Sequence, residues 1–160
     1  MKMNKTILCS KYDGLNLAVL YTEPQGMCKG VVQISHGMAE HKERYLPFME
    51  YLAECGYTTV IHDHRGHGES VRNPEELGYF YEGKDQAVVE DLHQITKWAK
   101  EKWPQKKFYM LGHSMGSLVA RVYLKTYDYE LDKLVLTGPP CKNPAVDLGL
   151  AIARRQKKIK

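Results

Sequence analysis

The 160-residue sequence has no uninterrupted apolar run approaching the roughly 18 residues that a membrane-spanning helix requires. Its first ten residues carry two lysines and only the short run Ile7-Leu8-Cys9, less than the roughly seven apolar residues of a secretory leader, so it reads as cytoplasmic. Cysteine is scarce. Cys9, Cys28, Cys55 and Cys141 lie far apart and form no C-x-x-C pair, which fits reduced thiols and not a disulfide framework. Charge of one sign is lacking too: 23 Lys and Arg stand against 19 Asp and Glu, interspersed almost throughout. The net charge of +4 therefore implies no nucleic-acid partner. Internal repeats, low-complexity tracts and linkers are also missing.

What remains is the composition of a globular domain, 43% apolar and 26% charged. A single domain of this length buries about 70% of the surface its unfolded chain exposes. Residues 6–10 and 15–21 read as short strands around the turn signal Asp13-Gly14. Val31–Ile34 and Tyr57–Ile61 are β-branched runs of buried-strand character. Between them Leu46, Met49, Leu52 and Ala53 fall at helical spacing over Tyr45–Glu54, with Gly56 ending the helix. Val88, Leu92, Ile95 and Ala99 predict a helix over Lys84–Lys102, closed by Pro104. Phe108–Leu111 predicts a strand, Leu118–Tyr127 a helix and Leu134–Leu136 a further strand. Strands alternating with helices imply an α/β fold, a mostly parallel sheet with helices on both faces.

Three loops carry chemistry. Gly112-His113-Ser114-Met115-Gly116 matches G-x-S-x-G between a strand and a helix. There the glycines are expected to permit a strained turn that lifts the Ser114 hydroxyl out of the sheet, and the Met115 N–H can donate to a developing oxyanion. His36-Gly37-Met38-Ala39-Glu40-His41 follows the strand Val31–Ser35, and its tight turn can present the Met38 N–H as a second donor. His36 and His41 themselves read as structural. The third loop, Asp63-His64-Arg65-Gly66-His67-Gly68-Glu69-Ser70, makes H-x-H-x-x-H with His62. A dinuclear zinc site of the H-x-H-x-D-H kind needs an aspartate where Gly66 stands, so the loop reads as structural. In that reading Asp63 and Arg65 pair with each other, while Gly66, His67 and Gly68 shape the turns.

Taken together, and in this order, the three loops resemble the α/β-hydrolases, specifically the group of monoacylglycerol lipases, lysophospholipases and serine aminopeptidase-like enzymes. The resemblance extends from about Leu15 to Pro140. It implies Ser114 as nucleophile, the N–H groups of Met38 and Met115 as oxyanion hole, and an ester or lipid-like substrate cleaved through an acyl-enzyme. No nucleotide loop or metal-ligand set is present, so no cofactor is expected, and contact with a membrane surface would be transient at most.

The sequence departs from the family pattern in one respect. All seven histidines (His36, His41, His62, His64, His67, His93, His113) precede Ser114, whereas the family's triad runs serine, acid, histidine along the chain. Asp128, Glu130, Asp132 and Asp147 follow Ser114 but not where the family places its acid. The simplest account is an incomplete chain: residues 1–140 form the first part of the core, and residues 141–160 begin a cap. Leu148, Ala151 and Ile152, with the basic cluster Arg154, Arg155, Lys157, Lys158 and Lys160, suit a cap helix. Truncation after the sixth strand would leave its edge open to self-association. The alternatives are a non-catalytic remnant or binding module, and, on the same core, a peptidase or acyltransferase.

Overall fold

The hairpin that opens the fold pairs a mostly exposed first strand with the apolar run Leu17–Tyr21. Strands β1 (Lys2–Cys9) and β2 (Asn16–Glu23) pair antiparallel from Cys9↔Asn16 to Lys2↔Glu23. The computed structural model describes residues 2–141 and Arg155. The expected cap segment, with its Asp147–Lys160 helix, lies outside the described residues apart from Arg155. Between β1 and β2 the Ser10 N–H donates to the Leu15 carbonyl at 2.7 Å, and Gly14 takes φ +76°. β1 starts four residues before the expected position, because Lys2–Lys5 carry no apolar alternation and are ordered by the ladder to β2.

The rest of the sheet follows the β-branched runs. β3 (Gly30–Ser35) leads through a 3₁₀ turn at Lys42–Tyr45 into α1 (Leu46–Glu54), where Pro47 occupies the first turn, the position that needs no N–H. Gly56, at φ +91°, ends that helix and opens β4 (Tyr57–His62). Then come α2 (Lys84–Lys102), with the bounds its apolar spacing predicts, β5 (Phe108–His113), α3 (Met115–Tyr127) and β6 (Lys133–Thr137). α3 begins three residues before the expected Leu118, because Ser114 is its N-cap.

The strand order is β1-β2-β4-β3-β5-β6, with β4, β3, β5 and β6 parallel. Side-chain alternation divides the core between the two faces. Leu20, Ile34 and Ile61 pack with Met49 of α1 on one face. On the other, Val19, Val31, Val60 and Phe108 meet Ile95 and Ala99 of α2, and Met110 meets Val119, Ala120 and Tyr123 of α3. The fold is thus the expected mostly parallel sheet between helical layers. Since β3, β4 and β5 run parallel, the three chemistry-bearing loops leave the sheet at one edge.

Candidate active site

Ser114 stands between the end of β5 and the start of α3 with φ +50° and ψ −117°, a strained backbone for a residue with a Cβ. Its N–H donates to the Thr137 carbonyl at 3.0 Å, and its own carbonyl accepts from the Ser117 N–H at 3.0 Å and the Ser117 hydroxyl at 2.6 Å. The strain therefore sits on the serine itself. Neither Gly112 nor Gly116 has positive φ. They are glycines because of close approach: a Cβ on Gly112 would stand 2.7 Å from the Gly116 carbonyl oxygen, and one on Gly116 would stand 2.0 Å from that of Ser35.

The loop after β3 lies directly against this turn. A Cβ on Gly37 would come within 3.2 Å of the Ser114 Cβ. Ala39 holds φ +57°, and the Met38 side chain is 65% exposed. Among the described residues the Met38 N–H makes no hydrogen bond. His36, fully buried, lies 2.7 Å from the Gly37 carbonyl through Nδ1, and its Nε2 accepts from the His64 N–H at 2.9 Å. That arrangement requires a neutral ring protonated on Nδ1, and burial pushes the His36 pKa down to about 4. His41 is exposed and reaches only Glu43.

The loop after β4 has different partners from those expected. Asp63 and Arg65 do not pair. Asp63 accepts from the Lys42 N–H at 2.6 Å, from Lys42 Nζ at 2.7 Å and from the Glu69 N–H at 2.8 Å. Arg65 donates from Nε to Asp91 at 2.8 Å and forks onto both oxygens of Asp13, at 2.9 and 3.2 Å. Each buried charge thus finds a partner distant in sequence. Gly66 (φ +76°) and Gly68 (φ +50°) do shape the turns, and a Cβ on Gly68 would stand 2.2 Å from an Asp63 oxygen. His67 lies 3.2 Å from the Arg65 carbonyl through Nδ1. The rings of His36, His62, His64 and His67 are buried in one cluster, with centroids 4.4 to 5.4 Å apart between neighbours. No three of these side chains are arranged as metal ligands among the described residues.

Among the described residues no base reaches Ser114. Its hydroxyl has no hydrogen-bond partner among the described residues, and His113 turns to Thr137 Oγ1 at 2.9 Å. Asp132 accepts from the Phe108 N–H at the opposite end of β5, Glu130 pairs with Lys100, and Asp128 accepts from the Tyr129 N–H. Asp147 lies outside the described residues. A cavity of about 590 Å³ opens beside the 36–41 loop, with Met38, Ala39, His67, Leu77 and Phe80 in its wall. An apolar groove of about 500 Å³ runs from Met115 past Leu118 and Val122, with Phe80 opposite. Sequence reasoning missed Glu40 and Lys42. Glu40 had one local signal, an acid three residues after Gly37, the spacing of a side chain reaching back to a backbone N–H. Lys42 had none.

A serine on a strained strand-to-helix turn, flanked by a loop from the neighbouring parallel strand, defines the α/β-hydrolase class. The chain belongs to the serine aminopeptidase, S33, family, whose model matches residues 26–159. It is 29% identical over 127 residues to the monoglyceride lipase of Rattus norvegicus, a match covering 79% of this chain and 40% of the lipase. It is 34% identical over 111 residues to the monoacylglycerol lipase of Mycolicibacterium smegmatis, covering 69% of this chain and 38% of that enzyme. Among solved structures, a thermostable carboxyl esterase from Bacillus coagulans superposes with a TM-score of 0.82 at 28% identity, over 97% of this chain and 50% of the esterase. The chain spans about 40% of the length of these two lipases. No helix among the described residues is long and apolar enough to cross a membrane.

Proposed function

We propose that the complete protein is a serine hydrolase that cleaves carboxylic esters of the monoacylglycerol or lysophospholipid kind through an acyl-enzyme on Ser114. The observation that carries this reading is the strained Ser114 backbone with Gly37 packed against its side chain. Attack of Ser114 Oγ on an ester carbonyl places negative charge on the carbonyl oxygen. The N–H groups of Met38 and Met115, the former unpaired among the described residues and the latter at the start of α3, receive that charge. A histidine outside this chain, oriented by an acid, takes the hydroxyl proton, passes it to the leaving alcohol and then activates water to release the acyl group. The apolar groove beside Met115 and the largely apolar cavity beside Met38 suit an ester with an apolar acyl chain. This chemistry needs no cofactor. The residues after Pro140 begin the cap in this reading.

In the complete protein, Ser114→Ala is expected to abolish ester hydrolysis and fluorophosphonate labelling, and undiminished labelling would overturn the assignment. The 160-residue chain alone is expected to turn over little, since a serine without a base remains protonated. A second reading, a non-catalytic binding module, draws on the absence of a base at Ser114 among the described residues. It predicts that a chain ending at Lys160 binds its ligand and hydrolyses nothing.

A further inference from the structure

We propose that Glu40 is a positioning residue of this site, holding the 36–41 loop so that the Met38 N–H faces the carbonyl attacked by Ser114. The inference rests on the reading of Ser114 as nucleophile. Glu40 Oε2 accepts from the Gly37 N–H at 2.8 Å and from the Tyr45 hydroxyl at 2.9 Å, and Arg44 Nε lies 3.3 Å from Oε1. The carboxylate thus ties the residue that touches Ser114 to the turn leading into α1. It is 15% exposed and lies flat beneath Gly37, with Oε2 only 2.9 Å from where a Gly37 Cβ would stand. Burial alone would favour the protonated acid. The Gly37 N–H, the Tyr45 hydroxyl, His113 and Arg44 outweigh it and keep Glu40 charged.

Glu40 shares this task with His36. Ala39 holds a left-handed backbone that a free loop would leave, and among the described residues the Met38 N–H has no internal partner to fix its direction. His36 holds the Gly37 carbonyl, which shares a rigid peptide with the Met38 N–H, while Glu40 holds the N–H of the peptide before it, so the two residues fix Gly37 from both sides. Removing the carboxylate frees the Gly37 N–H and the peptide before it, leaving the Met38 N–H peptide held against Ser114 by His36 alone. An oxyanion donor acts on the transition state more than on bound substrate, so the loss falls on kcat.

The test uses the complete protein, p-nitrophenyl butyrate as substrate, and the variants Glu40→Ala and Glu40→Gln. Glu40→Ala is expected to lower kcat by about 10- to 100-fold with KM changed less than about threefold, and to speed amide hydrogen exchange at Gly37. Glu40→Gln is expected to recover most of the activity, because an amide oxygen still accepts from the Gly37 N–H. Unchanged kcat in Glu40→Ala, or equal loss in both variants in step with melting temperature, would overturn the proposal. A Ser114→Ala control that stays active would instead overturn the nucleophile reading. The loop-holding role of Glu40 would then stand or fall on exchange at Gly37, and unchanged protection would end it.

Discussion

Gly116 and Ser35 meet backbone to backbone, with the Gly116 Cβ position 2.0 Å from the Ser35 carbonyl oxygen. The helix that starts at Ser114 is thereby pressed onto the end of the strand that leads into the Met38 loop. The spacing between Ser114 and that loop depends on the absence of one methyl group. Gly116→Ala should push α3 away from β3. In the complete protein the expected cost is about 3 kcal/mol from overpacking against backbone that cannot move aside. Urea denaturation measures it, and fluorophosphonate labelling should fall in parallel. A variant within about 0.5 kcal/mol of the parent, the range of an ordinary surface substitution, would show that the contact is not under compression.

Ser114 stores strain that a glycine would release. At φ +50° and ψ −117° a side chain costs about 1–3 kcal/mol. Ser114→Gly should therefore be more stable than Ser114→Ala by about 1–2 kcal/mol, although both variants lose the hydroxyl and are expected to be equally inactive. Melting of the two variants side by side checks this. Equal melting temperatures would place the strain elsewhere in the turn.

The parts of this site legible in the sequence are those that local chemistry dictates. Gly112–Gly116 lies between a strand and a helix that their apolar spacing reveals, and Lys84–Lys102 keeps its predicted bounds for the same reason. The elbow glycines were legible as permitting the turn, but the contact that demands them was not. Positive φ belongs to a residue's own backbone, whereas Gly116 is constrained by Ser35, 81 residues earlier, through packing that no local pattern encodes. The partners of Asp63 and Arg65 were hidden likewise. Lys42, Asp13 and Asp91 lie 21, 52 and 26 residues away, and only the closed sheet brings them together. The first half of β1 was hidden because an edge strand with mostly exposed residues carries no hydrophobic period.

The buried histidine cluster makes stability depend on acid. Burial pushes His36 down to about 4 and His62 to about 3, with His36 and Arg65 adding to the effect on His62. These rings are neutral in the fold and protonate near 6.5 when the chain unfolds, so the unfolded state binds the extra protons. Their contribution is complete above about pH 6.5 and declines as the pH falls toward 4, by about 3 kcal/mol for His36 at pH 4. Among the described residues both buried nitrogens of His62 lack a partner. His62→Leu should therefore raise stability at pH 8 by about 1–2 kcal/mol and flatten the loss on acidification. Urea midpoints at pH 8 and pH 5 decide it. A variant less stable at pH 8 that loses as much at pH 5 as the parent would show that His62 has a partner after all.

Among the described residues β6 has one strand neighbour, β5, and its other edge is open. Its burial alternates between exposed and half-buried, and Val135 is 52% exposed. An open apolar edge presents unpaired N–H and C=O groups to any second strand, and the one charge in the strand, Lys133, is weak protection. We therefore expect the 160-residue chain, produced alone, to be dimeric, aggregated or partly folded. Size-exclusion chromatography with light scattering is the measurement. Val135→Lys should shift the chain toward monomer at an unchanged protein concentration, because a charge at the middle of the edge opposes strand addition while removing little buried surface. A cooperatively melting monomer with Val135 intact would mean that the β6 edge is covered, and would favour the self-contained binding module over the incomplete hydrolase.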